Sequence, residues 1–228
     1  METITTENKP DLRQVEAEFR QFVLDGQHPC VMAKSVFKMN HYRLRAYDDI
    51  SSKDSHSRLL QDLADYLQTC DFSSTKFQTF VAIFPNDRFD DELSFEKALW
   101  NALQQLHNLD NADWDNTVSS DPDDAAFSFS LNGKAFYIIG MHPKSSRMAR
   151  QAPYPAMVFN LHCQFENLRG LGTYHTVRDT IRKNDKKLQG SINPVLEDFG
   201  DDSESKQYSG RKVEDSWKCP FHAKHSHA

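Results

Sequence analysis

Apolar residues at three- and four-residue spacing between Asp11 and Leu24 (Leu12, Val15, Phe19, Phe22, Val23) predict an amphipathic helix ended at Gly26. His28-Pro29-Cys30 predicts a turn. From Val31 to Tyr47 the pattern predicts a buried segment and then a strand, with Tyr42, Leu44 and Ala46 alternating against Arg43, Arg45 and Tyr47. A second helix is predicted over Ser55–Thr69, with Leu59, Leu60, Leu63 and Leu67 on one face. A nearly continuous apolar strand over Phe77–Phe84 is stopped by Pro85. A third helix runs from Phe95 to Leu106 with Ser94 as its cap, and Asn108–Asp124 is acidic and turn-rich. Asn132-Gly133 between Ala126–Leu131 and Lys134–Gly140 predicts a two-residue hairpin, because both turn positions of that type need positive φ. Ala156–Phe165 reads as a further strand, Tyr174–Leu188 as a charged helix, and Gly190–Pro220 as loop-rich.

Helices interleaved with strands around a central hairpin predict an α+β (mixed α/β) fold: one domain spanning residues 1–228, with a largely antiparallel sheet flanked by helices. Residues 1–10 and 222–228 are expected to be flexible ends. The 228 residues, 16 Phe and 7 Tyr among them, suffice for one large core.

Charge divides the chain. Residues 1–139 carry 13 Lys/Arg against 23 Asp/Glu, and residues 140–228 carry 14 against 10. An acidic front and a mildly basic back lack the concentrated basic face of a nucleic-acid binder, but the basic half suits a small anionic ligand. No apolar run is long enough to cross a bilayer and the first residues lack a leader pattern, so a soluble, cytoplasmic protein is expected. Four cysteines with no CxxC pair read as reduced thiols.

Candidate chemistry concentrates between Gly140 and Phe221. His142-Pro143-Lys144-Ser145-Ser146-Arg147-Met148-Ala149-Arg150 leaves a strand at a Pro-fixed turn and presents hydroxyls and two arginines, donors that can grip a carboxylate or phosphate. A solvated basic turn is the plainer alternative. In Val158–Arg169, strand alternation sets Asn160, His162, Gln164 and Glu166 on one face, a polar set that needs partners, a ligand or solvent. Glycine-bearing loops follow, containing Asp198, Glu204, Arg211 and Cys219.

Five ordered segments, HPKSSRMAR (142–150), VFNLHCQFENLR (158–169), LQGSINPVLEDFG (188–200), QYSGR (207–211) and WKCPF (217–221), resemble the YqcI/YcgG-like family, and the likeness extends more loosely to Pro29-Cys30 and Ala33-Lys34. The resemblance implies a heme-dependent N-oxygenase that hydroxylates a guanidine or amine nitrogen with dioxygen and electrons from a separate reductase. Heme b would need an axial ligand: His142 is the first choice, with His162 and Cys219 as alternatives and Cys30 a weaker one. Ser145, Ser146, Arg147, Arg150, Asn160 and Arg211 are expected around the cofactor. His162, Gln164 and Glu166 are expected at the reaction, and Glu166, Asp198 or Glu204 would read a cationic substrate, with Arg211 or Arg169 for its carboxylate. A non-catalytic heme carrier and a non-heme iron oxygenase are the rival classes.

Overall fold

The computed structural model describes residues 11–24, 28–191 and 200–224. Along these run six α-helices and five strands: α1 (Leu12–Leu24), α2 (Val31–Lys38), β1 (Tyr42–Ala46), α3 (Lys53–Leu67), β2 (Thr79–Ile83), α4 (Glu92–Leu109), β3 (Phe129–Leu131), β4 (Lys134–Met141), β5 (Ala156–Leu161), α5 (His162–Gly170) and α6 (Tyr174–Gln189). Short 3-10 turns at Met148–Arg150 and Glu204–Gln207 complete them.

The strands form one sheet in the order β1-β2-β5-β4-β3. β1 and β2 are parallel, joined by α3 as the crossover that a parallel pair requires, and the other pairings are antiparallel. The expected α+β fold with a largely antiparallel sheet is the fold observed. Asn132 (φ 52°) and Gly133 (φ 70°) close the hairpin as expected.

Residue parity along the strands assigns the two faces. Phe80, Phe136, Ile138, Met157 and Phe159 pack with Leu59 and Leu63 of α3 and with Leu99, Leu103 and Leu106 of α4. Each such fully buried side chain stabilises the fold by about 1.5–3 kcal/mol. The opposite face, with Val81, Ile83, Met141, Ala156 and Val158, packs with Val15, Phe19 and Val23 of α1 and Val36 and Phe37 of α2. Beyond them α5 and α6 complete this layer.

Local details depart from the sequence expectation in three places. Asp91, not Ser94, caps α4: its carboxylate accepts from the Ser94 backbone N–H at 2.7 Å while Ser94 occupies the third helical position of a capping box. The segment expected as one strand to Phe165 turns helical at His162, so alternation ends there. Residues 222–224 are docked rather than loose: the His222 backbone N–H donates to Gln104 Oε1 at 2.9 Å and that of Lys224 to His107 Nε2 at 2.9 Å. The expected stop at Gly26, the loose ends at 1–10 and 225–228, and Asp198 lie outside the described residues.

Candidate functional site

Between the β2-β5-β4 surface and helices α1, α2, α5 and α6 lies a cavity of ≈ 270 Å³. Its walls are largely apolar, with Phe19, Val36, Phe77, Ile139, Val158 and Phe165 among them. Its charged lining consists of Arg147, Arg150, Arg169, Arg178 and Arg182 against Asp185 and Glu204. Burial raises the Glu204 carboxyl to about 8, although bonds with Ser128 and Tyr208 favour its charged form. At neutral pH Glu204 is therefore largely uncharged, while Arg147 pairs with Asp185, Arg169 with Glu166 and Arg178 with Asp179.

Strand parity and the β5–α5 junction aim the polar lining. Asn160 follows Val158 onto the cavity face of β5 and its Oδ1 accepts from Thr79 Oγ1 at 2.9 Å. His162 opens α5 on the same side. Its Nε2 lies 3.4 Å from Glu166 Oε1 and its Nδ1 3.8 Å from Glu204 Oε1. Burial lowers the His162 pKa and keeps the ring neutral, with the Glu166 charge opposing that shift. Tyr137 projects from β4 and donates to Gln207 Oε1 at 2.5 Å.

At the turn after β4, Arg147 Nη2 pairs with Asp185 of α6 at 2.5 Å and also bonds the Ser191 carbonyl at 3.0 Å. Arg150 donates instead to two backbone carbonyls, Gly140 at 2.9 Å and Gln207 at 3.3 Å. His28 and Cys30 arrive from the turn before α2. Burial, with the Lys34 and Arg150 charges, pushes His28 down to about 4, while an interaction with the Ala149 backbone opposes the shift without meeting hydrogen-bond geometry. Cys30 caps α2 through its sulfur, which accepts from the Ala33 N–H at 3.4 Å, and burial raises its thiol pKa.

Of the residues expected at one site, the fold brings Arg147, Arg150, Asn160, His162, Arg169 and Glu204 to the cavity lining. Cys30, the weaker ligand candidate, lines it too, whereas His142, Ser145, Ser146, Gln164, Glu166, Arg211 and Cys219 stand apart from that lining. His142 falls one residue past Met141 and so on the α4 face, where its ring stacks on Phe95 with centroids 4.4 Å apart. Ser145 Oγ accepts from the Arg147 N–H at 3.3 Å, and Ser146 Oγ donates to Glu92 at 2.8 Å, so both hydroxyls organise the turn. Gln164 clamps Gln78, accepting its N–H at 2.6 Å and donating to its carbonyl at 3.0 Å. Glu166 is exposed and pairs with Arg169. Arg211 is held by Glu96 at 2.8 Å and Glu214 at 2.8 Å on the α4 side of the molecule. Cys219 packs in the α3–α4 core, and burial pushes its thiol up to about 12.

Sequence reasoning treated His28 only as part of a turn and passed over Tyr137. Among the described residues no three His, Cys, Asp or Glu side chains converge as a site for a bare metal ion, and no helix is long and apolar enough to cross a membrane.

These features define a class: a single sheet, covered on both faces, that encloses a largely apolar cavity on one of them. More particularly, residues 19–222 match the model of the YqcI/YcgG family, and the chain belongs to that family. It is 25% identical to the uncharacterized protein YqcI of Bacillus subtilis (strain 168) over 209 residues, covering 86% of this chain and 81% of the relative. It is also 25% identical to the uncharacterized protein YcgG of the same organism over 206 residues, covering 85% and 80%. No solved structure matches the chain.

Proposed function

We propose that the cavity binds heme b and that the protein is a heme-dependent oxygenase, hydroxylating a nitrogen of a small guanidine- or amine-containing substrate with dioxygen and electrons from a separate reductase. The observation that carries this reading is the lining itself: apolar walls, the buried Arg150 without a carboxylate partner among the described residues, and the buried imidazole of His162. A porphyrin brings four nitrogens and asks the chain for one ligand.

His162 is the residue assigned to iron. Carboxylates stand near both ring nitrogens, so one nitrogen can bind while the other is oriented by a carboxylate, the arrangement that fixes tautomer and basicity of a ligand imidazole. Arg150 would take a propionate or a substrate carboxylate. Glu204 holds a proton inside the cavity at neutral pH and can yield it, pairing afterwards with a cationic substrate. Asn160 and Tyr137 offer further polar contacts on the same wall. Heme, when bound, supplies the activation of dioxygen. The cavity, ≈ 270 Å³, falls just under the ~300–1,000 Å³ usual for small-molecule sites. A porphyrin would need more room than this, and α6, tied down by the Arg147–Asp185 pair and the Asn184 bond to the Pro29 carbonyl, would have to give way to admit it.

The test is the absorption spectrum of protein expressed with added heme precursor, read oxidised, reduced and carbonylated, followed by turnover with amines and guanidines. The expected result is a Soret band with histidine-type ferrous carbonyl features, lost in His162→Ala and kept in His142→Phe. A colourless protein that cannot be reconstituted overturns the reading. A heme protein without turnover is a carrier.

A further inference from the structure

We propose that Arg150 and His28 form a carboxylate-binding subsite in the cavity wall, taking the acid group of an otherwise apolar ligand. The proposal shares its cavity with the heme reading, and the heme-free measurement below separates the two.

Three arginines among the described residues are buried: Arg147, Arg150 and Arg211. Two have carboxylate partners, Asp185 for Arg147 and Glu96 with Glu214 for Arg211. Arg150 has none within ion-pair distance among the described residues. Its two hydrogen-bond partners among the described residues are carbonyls, which absorb two of five N–H groups and none of the charge. Burial lowers its pKa, and the attraction of Asp185, whose carboxylate is already paired with Arg147, does not offset it. A guanidinium that lines a cavity in this state is completed by an anionic ligand, and a carboxylate fits its planar fork best.

His28 stands in the same wall, 8% exposed. Its Nδ1 accepts the Cys30 N–H at 3.4 Å, so in the neutral ring the proton sits on Nε2, and Nε2 has no hydrogen-bond partner. That tautomer makes His28 a donor, unsuited to binding metal through Nε2 as it stands and suited to a carboxylate oxygen. The site is also built for the arginine. Gly210 (φ +83°) sits where an added Cβ would meet Arg150 Cγ at 3.1 Å, so glycine there leaves the stem its path. The rival role for Arg150 is a latch that ties the turn after β4 to the segment at Gln207, with no ligand involved.

The experiment is calorimetric titration of heme-free protein with hexanoate, with hexanamide as the neutral isostere and with hexylammonium. Hexanoate is expected to bind about tenfold more tightly than either, the scale of one charge-assisted hydrogen bond. Arg150→Met is expected to erase that preference, Arg150→Lys to keep part of it, and His28→Phe to reduce it severalfold. Equal affinity for hexanoate and hexanamide, no measurable hexanoate binding, or an unchanged preference in folded Arg150→Met overturns the subsite and leaves the latch. Should Arg150→Met not fold, the three ligands on the wild-type protein decide alone. Repeating the titration on heme-loaded protein assigns the source. Loss of hexanoate binding identifies a heme propionate as the natural occupant, and persistence identifies the carboxylate of a separate substrate. A protein that prefers hexanoate but never takes up heme keeps this proposal and loses the iron reading.

Discussion

The two faces of the sheet use the same residue types to opposite ends. On the α3–α4 side, His142 stacks on Phe95 and Arg211 is neutralised by Glu96. On the other side, His28 leaves Nε2 without a partner and Arg150 has only carbonyls. The closed face seals its unpartnered atoms, both His142 ring nitrogens and Trp100 Nε1 among them, against packed rings, whereas the other presents His28 and Arg150 to a cavity. Chemistry-bearing residues therefore identify a site only together with the face they fall on.

The largest expected contrast is between the buried arginines. Arg211→Met leaves Glu96 buried without its partner, and denaturant unfolding is expected to show a loss of about 3–5 kcal/mol. Arg150→Met removes a cation that had no counter-ion, and is expected to stay within about 1 kcal/mol of wild type while abolishing carboxylate preference. Equal losses in the two variants would erase the distinction between the faces.

Packing gives the next contrast. Phe159→Ala on the closed face is expected to cost about 3–5 kcal/mol, because its fully buried ring leaves a hole among fixed neighbours. Val158→Ala, one residue along β5, enlarges a space that already exists and is expected to cost about 1 kcal/mol by the same assay.

A smaller effect is electrostatic. Glu204 has a folded pKa of about 8 against an ordinary 4.5, so the folded state holds its proton where the unfolded state has released it. Stability is then lost as pH rises through that window, and Glu204→Gln is expected to flatten the decline in a pH series of thermal melts. His28 works with the opposite slope: its folded pKa of about 4 lies below the ordinary 6.5, so stability falls as pH drops between them. His28→Phe is expected to resist acid better than wild type over that range. An unchanged acid limb would contradict the buried, neutral imidazole.

Much of the fold was legible in the chain because its signals are local. The Asn132-Gly133 turn, the α1 stripe at Leu12–Val23 and the apolar run of β2 each specify their element within a few residues. Arg147, Arg150, Asn160 and His162 were also legible as a polar group in need of partners. Three things were not. The switch from β5 to α5 at His162 follows no breaker residue, and tertiary packing decides it. The partners that occupy Arg211 and Gln164 lie 115 and 86 positions away in sequence, beyond any local pattern. The placement of His142 away from the cavity depended on parity that the hairpin already contained, since Phe136 and Ile138 share its face.

The most direct test of the central claim is heme titration followed at the Soret band with wild type, His162→Ala and His142→Phe measured together. The account predicts stoichiometric uptake by wild type and by His142→Phe, and loss of the ligated spectrum in His162→Ala. Uptake that survives without His162 but fails without His142 would contradict it, as would a wild-type protein that takes up no heme.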